Sequence, residues 1–202
     1  VFSQQVLNEM AAATRVPVIN ALSDLYHPCQ ALADYLTLQE KFGDLRGVRL
    51  AYVGDGNNVC HSLMHAASLL GSHLVVVVPP GYEPLPEEIE LSRAIAAQTG
   101  GSVTVTNDPA KVKGCQAVYT DVWVSMGQAD LQGKRMKAFK DYQVNASLMA
   151  AAGPDALFMH CLPAHRGVEV TDEVIDSPRS VVYDQAENRL HAQNGLLDLL
   201  FS

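Results

Sequence analysis

The 202-residue sequence has few charged residues and no long hydrophobic run, and both properties limit the class of protein to which it can belong. Only 18% of the residues are charged and 48% are hydrophobic, which is inconsistent with an intrinsically disordered chain. The 14 Lys and Arg residues are outnumbered by 22 Asp and Glu residues, so the net charge is −8 and the basic surface of a nucleic-acid-binding protein is missing. The longest apolar runs, at 74–80 and 196–201, are far too short to cross a bilayer, and nothing at the start resembles a signal peptide. We therefore expect a cytoplasmic globular protein with no nucleic-acid or membrane partner.

Cysteine is also scarce. The chain has four, at irregular positions and without a CxxC pair: Cys29, Cys60, Cys115 and Cys161. This spacing argues against a disulfide framework and against a zinc knuckle. The neighbouring His27 and His160 could in principle bind a metal with Cys29 and Cys161, but no helical or CxxC spacing organises such ligands. We therefore predict reduced thiols and no metal site.

From residue 48 onward, short apolar runs alternate with amphipathic stretches, which is typical of a parallel sheet with crossover helices. The predicted strands are 48–53, 73–78, 102–106, 117–120 and 156–159, and the predicted helices in this part are 58–70, 86–99, 145–152 and 184–201. The fold class is α/β, a doubly wound, Rossmann-like sheet of five parallel strands with helices on both faces. Right-handed crossovers place the carboxyl ends of the strands at one edge, where a ligand is expected.

The first 47 residues do not continue this alternation. They predict a helix at 2–13, an apolar strand at 16–20 with no evident partner, and a helix at 28–42. An unpaired apolar strand would be an exposed edge, and the chain begins with Val rather than Met. We therefore expect the chain to be the C-terminal portion of a longer protein.

The loop after the first predicted strand, Gly54-Asp55-Gly56-Asn57-Asn58, suggests a dinucleotide site. Against a nicotinamide-dependent dehydrogenase, the third glycine of the motif would fall at Val59, and the second strand ends without an acid for a ribose hydroxyl. A tight strand-to-helix turn is the structural alternative. The amide of Asn58, beside the amino end of a helix, would suit a carboxylate ligand.

Two other loops follow predicted strands. In 120–128, the carboxylate of Asp121 and the hydroxyl of Ser125 suit an ammonium group, although Asp121 could instead cap a helix and Trp123 could fill the core. Cys161 follows the fifth strand and is more accessible there than a cysteine within a strand, although most lone cysteines are core residues.

Two helices carry further candidates. His27 and Gln30 begin a helix, where a neutral imidazole and an amide can polarise a carbonyl oxygen. The structural alternative is an N-terminal cap with Pro28 in the first turn. Arg189 lies in the last helix, where an arginine is more often solvated than bound to a ligand.

Taken together, these segments resemble the ornithine carbamoyltransferases, over almost the whole chain from Val16 to Leu200. The matching segments are LYHPCQALADYLT at 25–37, TDVWVSMGQ at 120–128, MHCLPAHR at 159–166 and AENRLHAQ at 186–193. The H-P-x-Q element is shared with aspartate carbamoyltransferases, whereas D-x-W-x-S-M-G and H-C-L-P mark the ornithine branch. The resemblance implies transfer of a carbamoyl group from carbamoyl phosphate to the δ-amine of ornithine. The products are citrulline and phosphate, in arginine biosynthesis or the urea cycle, and the enzymes are homotrimers without a cofactor.

The resemblance also assigns site residues. It implies that the carbamoyl group is held by His27, Gln30, Arg189 and the backbone of Cys161 and Leu162. It implies that the α-amino and α-carboxylate groups of ornithine are bound by Asn58, Asp121, Ser125 and Met126. For the chemistry, we expect Cys161 and Asp121 to share removal of a proton from the attacking amine, and His27 and Arg189 to stabilise the oxyanion.

The departure from the family lies at the amino end. Its members have a carbamoyl-phosphate domain with an S-x-R-T motif, and no S-x-R-T occurs in this sequence. We expect residues 1–34 to be the remnant of that domain and the interdomain helix, 35–183 the ornithine-binding domain, and 184–202 a helix that packs toward the missing domain. The chain alone is predicted to be inactive. A noncatalytic amino-acid-binding module stays open, as does a carbamoyltransferase for putrescine or acetylated ornithine, although the S-M-G loop favours free ornithine.

Overall fold

Five short strands rich in Val, Leu, Ala and Tyr form one parallel sheet in the computed structural model, which describes residues 2–124 and 132–202. The strands are β1 Arg49–Val53, β2 His73–Val77, β3 Ser102–Thr106, β4 Ala117–Thr120 and β5 Leu157–His160. Their order is β3-β2-β1-β4-β5, and every neighbouring pair is parallel. The chain moves outward from β1 first in one direction and then in the other, so the switch point lies between β1 and β4. The predicted fold class is confirmed.

Helices cover both faces of this sheet. They are α1 Gln4–Ala13, α2 Pro28–Phe42, α3 Asn58–Leu70, α4 Pro86–Thr99, α5 Gln132–Phe139, α6 Ala146–Ala152, α7 Asp172–Ile175 and α8 Val182–Phe201. Because side chains alternate along a strand, Tyr52 packs with residues of α2 and α3 on one face, while Val53 packs with residues of α6 and α7 on the other. The short helices α5 and α7 were not predicted.

The predicted strand at 16–20 is wrong. Residues 14–22 contain neither helix nor strand, and Val16 is 67% exposed. Pro17 has no N–H to donate to a neighbouring strand. Asn20 bonds locally instead, because its side-chain amide donates to Gln4 Oε1 at 3.1 Å and its carbonyl accepts from Cys29 Sγ at 3.4 Å. An apolar run becomes a strand only where the tertiary structure provides a partner.

Within residues 2–124 and 132–202, no helix has both the length and the apolar character needed to cross a membrane. In the same residues, no group of three or more His, Cys, Asp or Glu side chains is arranged to hold a metal ion.

Candidate active site

The loops after β1, β4 and β5 enclose a cavity of about 890 Å³ at the carboxyl edge of the sheet. Five residues predicted from the sequence line it, namely His27, Asn58, Asp121, Cys161 and Leu162. Gln30 and Arg189 lie together beside it, since Arg189 Nη1 donates to Gln30 Oε1 at 2.6 Å. Ser125 and Met126 lie outside the described residues. The fold therefore brings together groups from segments more than 130 residues apart in the sequence, as the topology predicted.

Asp121 and Cys161 form the central contact of this cavity. The Cys161 thiol donates to Asp121 Oδ1 at 3.0 Å, and the backbone N–H of Val122 donates to the same oxygen at 2.7 Å. Burial, and then the charge of Asp121, raise the pKa of the Cys161 thiol well above its usual range. The thiol is therefore a hydrogen-bond donor at neutral pH, and the carboxylate is the acceptor.

Asn57, which is not among the predicted site residues, orients that carboxylate. Its Nδ2 donates to Asp121 Oδ2 at 2.7 Å, while its Oδ1 accepts from the backbone N–H of Cys60 at 3.1 Å and caps α3. An Asn immediately before a predicted helix is the local signal that could have revealed the cap. The contact with Asp121, 64 residues away, has no local signal.

Gly56 explains why this loop contains glycine. A Cβ at Gly56 would lie 2.2 Å from the backbone nitrogen of Pro84. The glycine is therefore required by the close approach of another loop of the chain. This supports the tight-turn interpretation and removes the main support for a nicotinamide-binding protein.

Asn58 has its amide turned toward the protein. Its Nδ2 donates to the Ser23 carbonyl at 2.7 Å, and its Oδ1 accepts from the N–H of Val59 at 3.0 Å. It therefore ties the segment before α2 to the start of α3. The predicted contact between Asn58 and a ligand carboxylate stays a prediction.

His27 is positioned at the start of α2 as a neutral imidazole. Its backbone N–H donates to Ser62 Oγ at 2.7 Å, and its side chain makes no capping hydrogen bond to the helix. Burial, and then the nearby charge of Arg189, lower the pKa of His27 to about 4. His27 is the N-cap residue of α2 and Pro28 occupies the first turn, as the capping interpretation predicted, but the imidazole itself is not bonded to the helix.

A buried His–Glu contact shapes the turn that carries Cys161. His160 and Glu169 are both fully buried, and His160 Nε2 lies 3.4 Å from Glu169 Oε1. His160 Nδ1 accepts from the backbone N–H of Leu162 at 2.8 Å. Because this N–H already has a partner, Leu162 can offer a ligand only its carbonyl oxygen in this arrangement. Glu169 belongs to no local motif, so no pattern in the sequence marks it as part of the site.

Asp34 is a second buried acid that sequence reasoning missed. The fully buried Asp34 Oδ1 accepts from Gln30 Nε2 at 2.8 Å and from Gln185 Nε2 at 2.9 Å. Burial raises the pKa of Asp34 to about 6, although both hydrogen bonds and the charge of Arg189 oppose that rise. Its side chain therefore joins α2 to α8 beside the cavity.

The pKa of Asp34 predicts how Asp34→Asn changes stability with pH. A carboxyl whose pKa rises on folding stabilises the fold below about pH 4 and loses that contribution as the pH rises through about 6. An amide resembles the neutral carboxyl at every pH. As the pH increases from 4.5 to 7.5, we therefore expect the free energy of unfolding of Asp34→Asn to rise relative to that of the parent by about 1 to 3 kcal/mol. Urea unfolding at both pH values measures the difference.

Tyr35, Tyr119, Cys161 and Arg189 are the other titratable groups near Asp34. Burial raises the pKa of each of the two tyrosines and of the thiol, so these three groups do not titrate between pH 4.5 and 7.5. A stability difference that is the same at both pH values would contradict the assignment.

Known protein families match this chain over most of its length. The model for the Asp/Orn binding domain of aspartate/ornithine carbamoyltransferase matches residues 46–200. The chain belongs to this carbamoyltransferase family. The family's carbamoyl-P binding domain model matches residues 1–40. The resemblance inferred from the sequence motifs is confirmed.

Individual carbamoyltransferases are similar over nearly the whole chain. The ornithine carbamoyltransferase of Pyrococcus horikoshii is 55% identical over 201 residues, which are 99% of this chain and 63% of that protein. The anabolic enzyme of Pyrococcus furiosus is also 55% identical, over 99% of this chain and 64% of its own length. The solved structure of the Pyrococcus furiosus ornithine carbamoyltransferase superposes with a TM-score of 0.95, over 98% of this chain and 64% of that one. This carbamoyltransferase chain thus spans just under two thirds of the length of these relatives.

Proposed function

We propose that the protein transfers a carbamoyl group from carbamoyl phosphate to the δ-amine of ornithine, a reaction of arginine metabolism. The observation that carries the proposal is the contact between the Cys161 thiol and the Asp121 carboxylate at the edge of the sheet. It is supported by the 55% identity to named ornithine carbamoyltransferases. In the reaction the amine nitrogen forms a bond to the carbamoyl carbon, the bond from that carbon to the phosphate oxygen breaks, and the amine loses a proton.

The ornithine end of the proposed site is acidic. The Asp121 carboxylate lies in the cavity wall and suits an ammonium group, whereas Asn58 would bind the α-carboxylate after a change of its hydrogen bonds. Ser125 and Met126 complete the proposed ornithine contacts.

The carbamoyl end is formed by groups that can donate to an oxygen. The neutral His27 and the permanently charged Arg189 are the proposed donors to the carbamoyl oxygen as it becomes negatively charged. Preorganised donors of this kind contribute about 3 to 4 kcal/mol each to transition-state stabilisation. Gln30, Cys161 and the carbonyl of Leu162 would hold the carbamoyl amide.

The proton of the attacking amine needs an acceptor, because a free alkylammonium has a pKa of about 10.4. The high pKa of the Cys161 thiol makes the thiol a hydrogen-bond donor, so Cys161 and Asp121 have different roles in removing the proton. Asp121 accepts the proton, directly or through the α-amino end of ornithine, and Cys161 keeps the carboxylate in position.

The first test is citrulline formation from carbamoyl phosphate and ornithine, with the intact mass of the protein measured on the same sample. We expect citrulline from the polypeptide as its gene encodes it and none from the 202-residue chain alone. Citrulline from the 202-residue chain would contradict its predicted inactivity. No citrulline from the gene-encoded polypeptide would contradict the proposed function, and a preference for putrescine or acetylated ornithine would replace ornithine as the substrate.

The homotrimeric assembly and the domain boundaries near residues 34 and 184 stay predictions.

Cys161→Ala tests the role of the thiol. Without the thiol, Asp121 Oδ1 loses one of its two hydrogen-bond donors. We expect the KM for ornithine to rise by about tenfold and the pH dependence of kcat/KM to shift. Steady-state kinetics across a pH series measures both effects. Cys115→Ala, at a buried cysteine on the opposite face of the sheet, should change neither. An unchanged pH profile in Cys161→Ala would contradict the role.

A further inference from the structure

A chain of four hydrogen bonds connects Arg189, at the proposed carbamoyl end of the site, to the end of β5, just before Cys161. Arg189 Nη1 donates to Gln30 Oε1 at 2.6 Å, and Gln30 Nε2 donates to Asp34 Oδ1 at 2.8 Å. Gln185 Nε2 donates to the same Asp34 oxygen at 2.9 Å, and Gln185 Oε1 accepts from the backbone N–H of His160 at 2.9 Å. Both glutamines and Asp34 are at most 2% exposed. The chain therefore lies inside the protein, between α2, α8 and the end of β5.

The chemistry of Asp34 determines which way the two glutamine amides point. A glutamine amide has a donor end and an acceptor end of nearly equal size, so packing alone selects its orientation poorly. An ionised carboxylate can only accept hydrogen bonds. Each amide must therefore turn its NH2 group toward Asp34 and its oxygen away from it. For Gln30 that orientation places the oxygen beside Arg189, and for Gln185 it places the oxygen on the N–H of His160.

We propose that Asp34 is a positioning residue that fixes the Gln30 amide with its oxygen presented to the carbamoyl end of the site. This inference rests on the proposed function, because that function makes Gln30 a contact of the carbamoyl group. The carbamoyl group carries an NH2 that needs an acceptor, and Gln30 Oε1 supplies one only in this orientation. The same oxygen accepts from Arg189, so it also holds the guanidinium in place. With the amide reversed, its NH2 group would face two other hydrogen-bond donors, the guanidinium of Arg189 and the NH2 of the carbamoyl group.

The test compares four variants of the gene-encoded polypeptide by equilibrium titration with carbamoyl phosphate. Asp34→Leu removes the acceptor, and Asp34→Ser replaces it with a small hydroxyl that can donate as well as accept. We expect both to weaken carbamoyl phosphate binding by about tenfold or more, which is the effect of one misdirected hydrogen bond to a charged group. Asp34→Asn keeps an acceptor oxygen for both amides, so its affinity should stay within about twofold of the parent. If Asp34→Leu does not fold, the comparison of Asp34→Ser with Asp34→Asn decides the question.

Thr37→Val is the matched control. Thr37 lies one turn further along α2, is fully buried, and accepts from Asn188 Nδ2 of α8 at 2.9 Å. It joins the same two helices but has no hydrogen bond to Gln30. We expect Thr37→Val to bind carbamoyl phosphate like the parent, although it loses a buried hydrogen bond.

Three results would overturn the inference. One is parental affinity in Asp34→Ser or in folded Asp34→Leu, and another is an equal loss in Asp34→Asn. The third is an equal loss in Thr37→Val, which would make the effect one of helix packing. The titration does not depend on turnover. A polypeptide that forms no citrulline but shows the expected order of affinities would therefore refute the proposed function and leave the role of Asp34 intact.

Discussion

Asp121→Asn is expected to lower kcat/KM for ornithine by about a thousandfold, the scale of losing a positioned acid–base group. Both carboxylate oxygens of Asp121 accept hydrogen bonds, Oδ1 from Cys161 and Oδ2 from Asn57. An asparagine at this position would set its NH2 group against one of these donors. It would also remove the negative charge that suits the ammonium groups of ornithine. Steady-state kinetics with ornithine as the varied substrate measures the effect.

Asp44→Asn is the control for this substitution. Asp44 is an exposed carboxylate that accepts from the backbone N–H of Arg46 at 2.9 Å, much as Asp121 accepts from that of Val122. It does not line the cavity, and we expect its replacement to leave kcat/KM unchanged. If Asp121→Asn kept more than about a tenth of the parental kcat/KM, Asp121 would not be the proton acceptor.

Arg135→Met should cause the largest loss of stability among single substitutions at the cavity wall. Arg135 Nη1 lies 2.6 Å from Asp55 Oδ2 and 2.9 Å from the carbonyl of Trp123, and Arg135 and Asp55 are each less than 10% exposed. The guanidinium also lies 5.1 Å from the centre of the Tyr82 ring. Removing one partner of a buried ion pair leaves the other charge uncompensated. We therefore expect the free energy of unfolding to fall by about 3 to 5 kcal/mol and Tm by about 10 °C.

The pH dependence identifies the cause of that loss. Burial raises the pKa of Asp55 even with Arg135 beside it, because the hydrogen bond and charge of Arg135 only partly oppose the effect of desolvation. In Arg135→Met this opposition disappears and the pKa of Asp55 rises further. A carboxyl with a raised pKa destabilises the fold as the pH increases through that pKa, so the deficit of the variant should shrink between pH 7.5 and pH 5.

Arg166→Met is the matched control for the ion pair. Arg166 bonds to Asp172 at 2.9 Å and to Asp176, but the pairs lie on the surface, where ion pairs add little to stability. Thermal unfolding of both variants gives the comparison, and we expect no measurable change for Arg166→Met. Equal losses in the two variants would show that burial does not govern the contribution of Arg135.

The elements that were predicted well from the sequence are those whose signals are local. Helix α3 begins at Asn58 and ends at Leu70 before Gly71, as the pattern indicated. All five predicted strands begin and end within one residue of the observed bounds because each is a short apolar run between turn residues. The run at 16–20 has a similar composition and is not a strand, since pairing depends on a partner elsewhere in the chain.

The sequence by itself determined the fold class, the family and the edge of the sheet at which the candidate residues gather. Apolar periodicity, turn residues and the motifs around His27, Asp121 and Cys161 are properties of short segments, and parallel topology places the ends of the strands together. Only the tertiary structure decided the polar contacts that set the protonation and orientation of those residues. Asp34 and Gln185 are 151 positions apart, and Arg135 and Asp55 are 80 apart. Such contacts depend on burial and on the geometry of hydrogen bonds between distant segments, and no pattern within either segment encodes them.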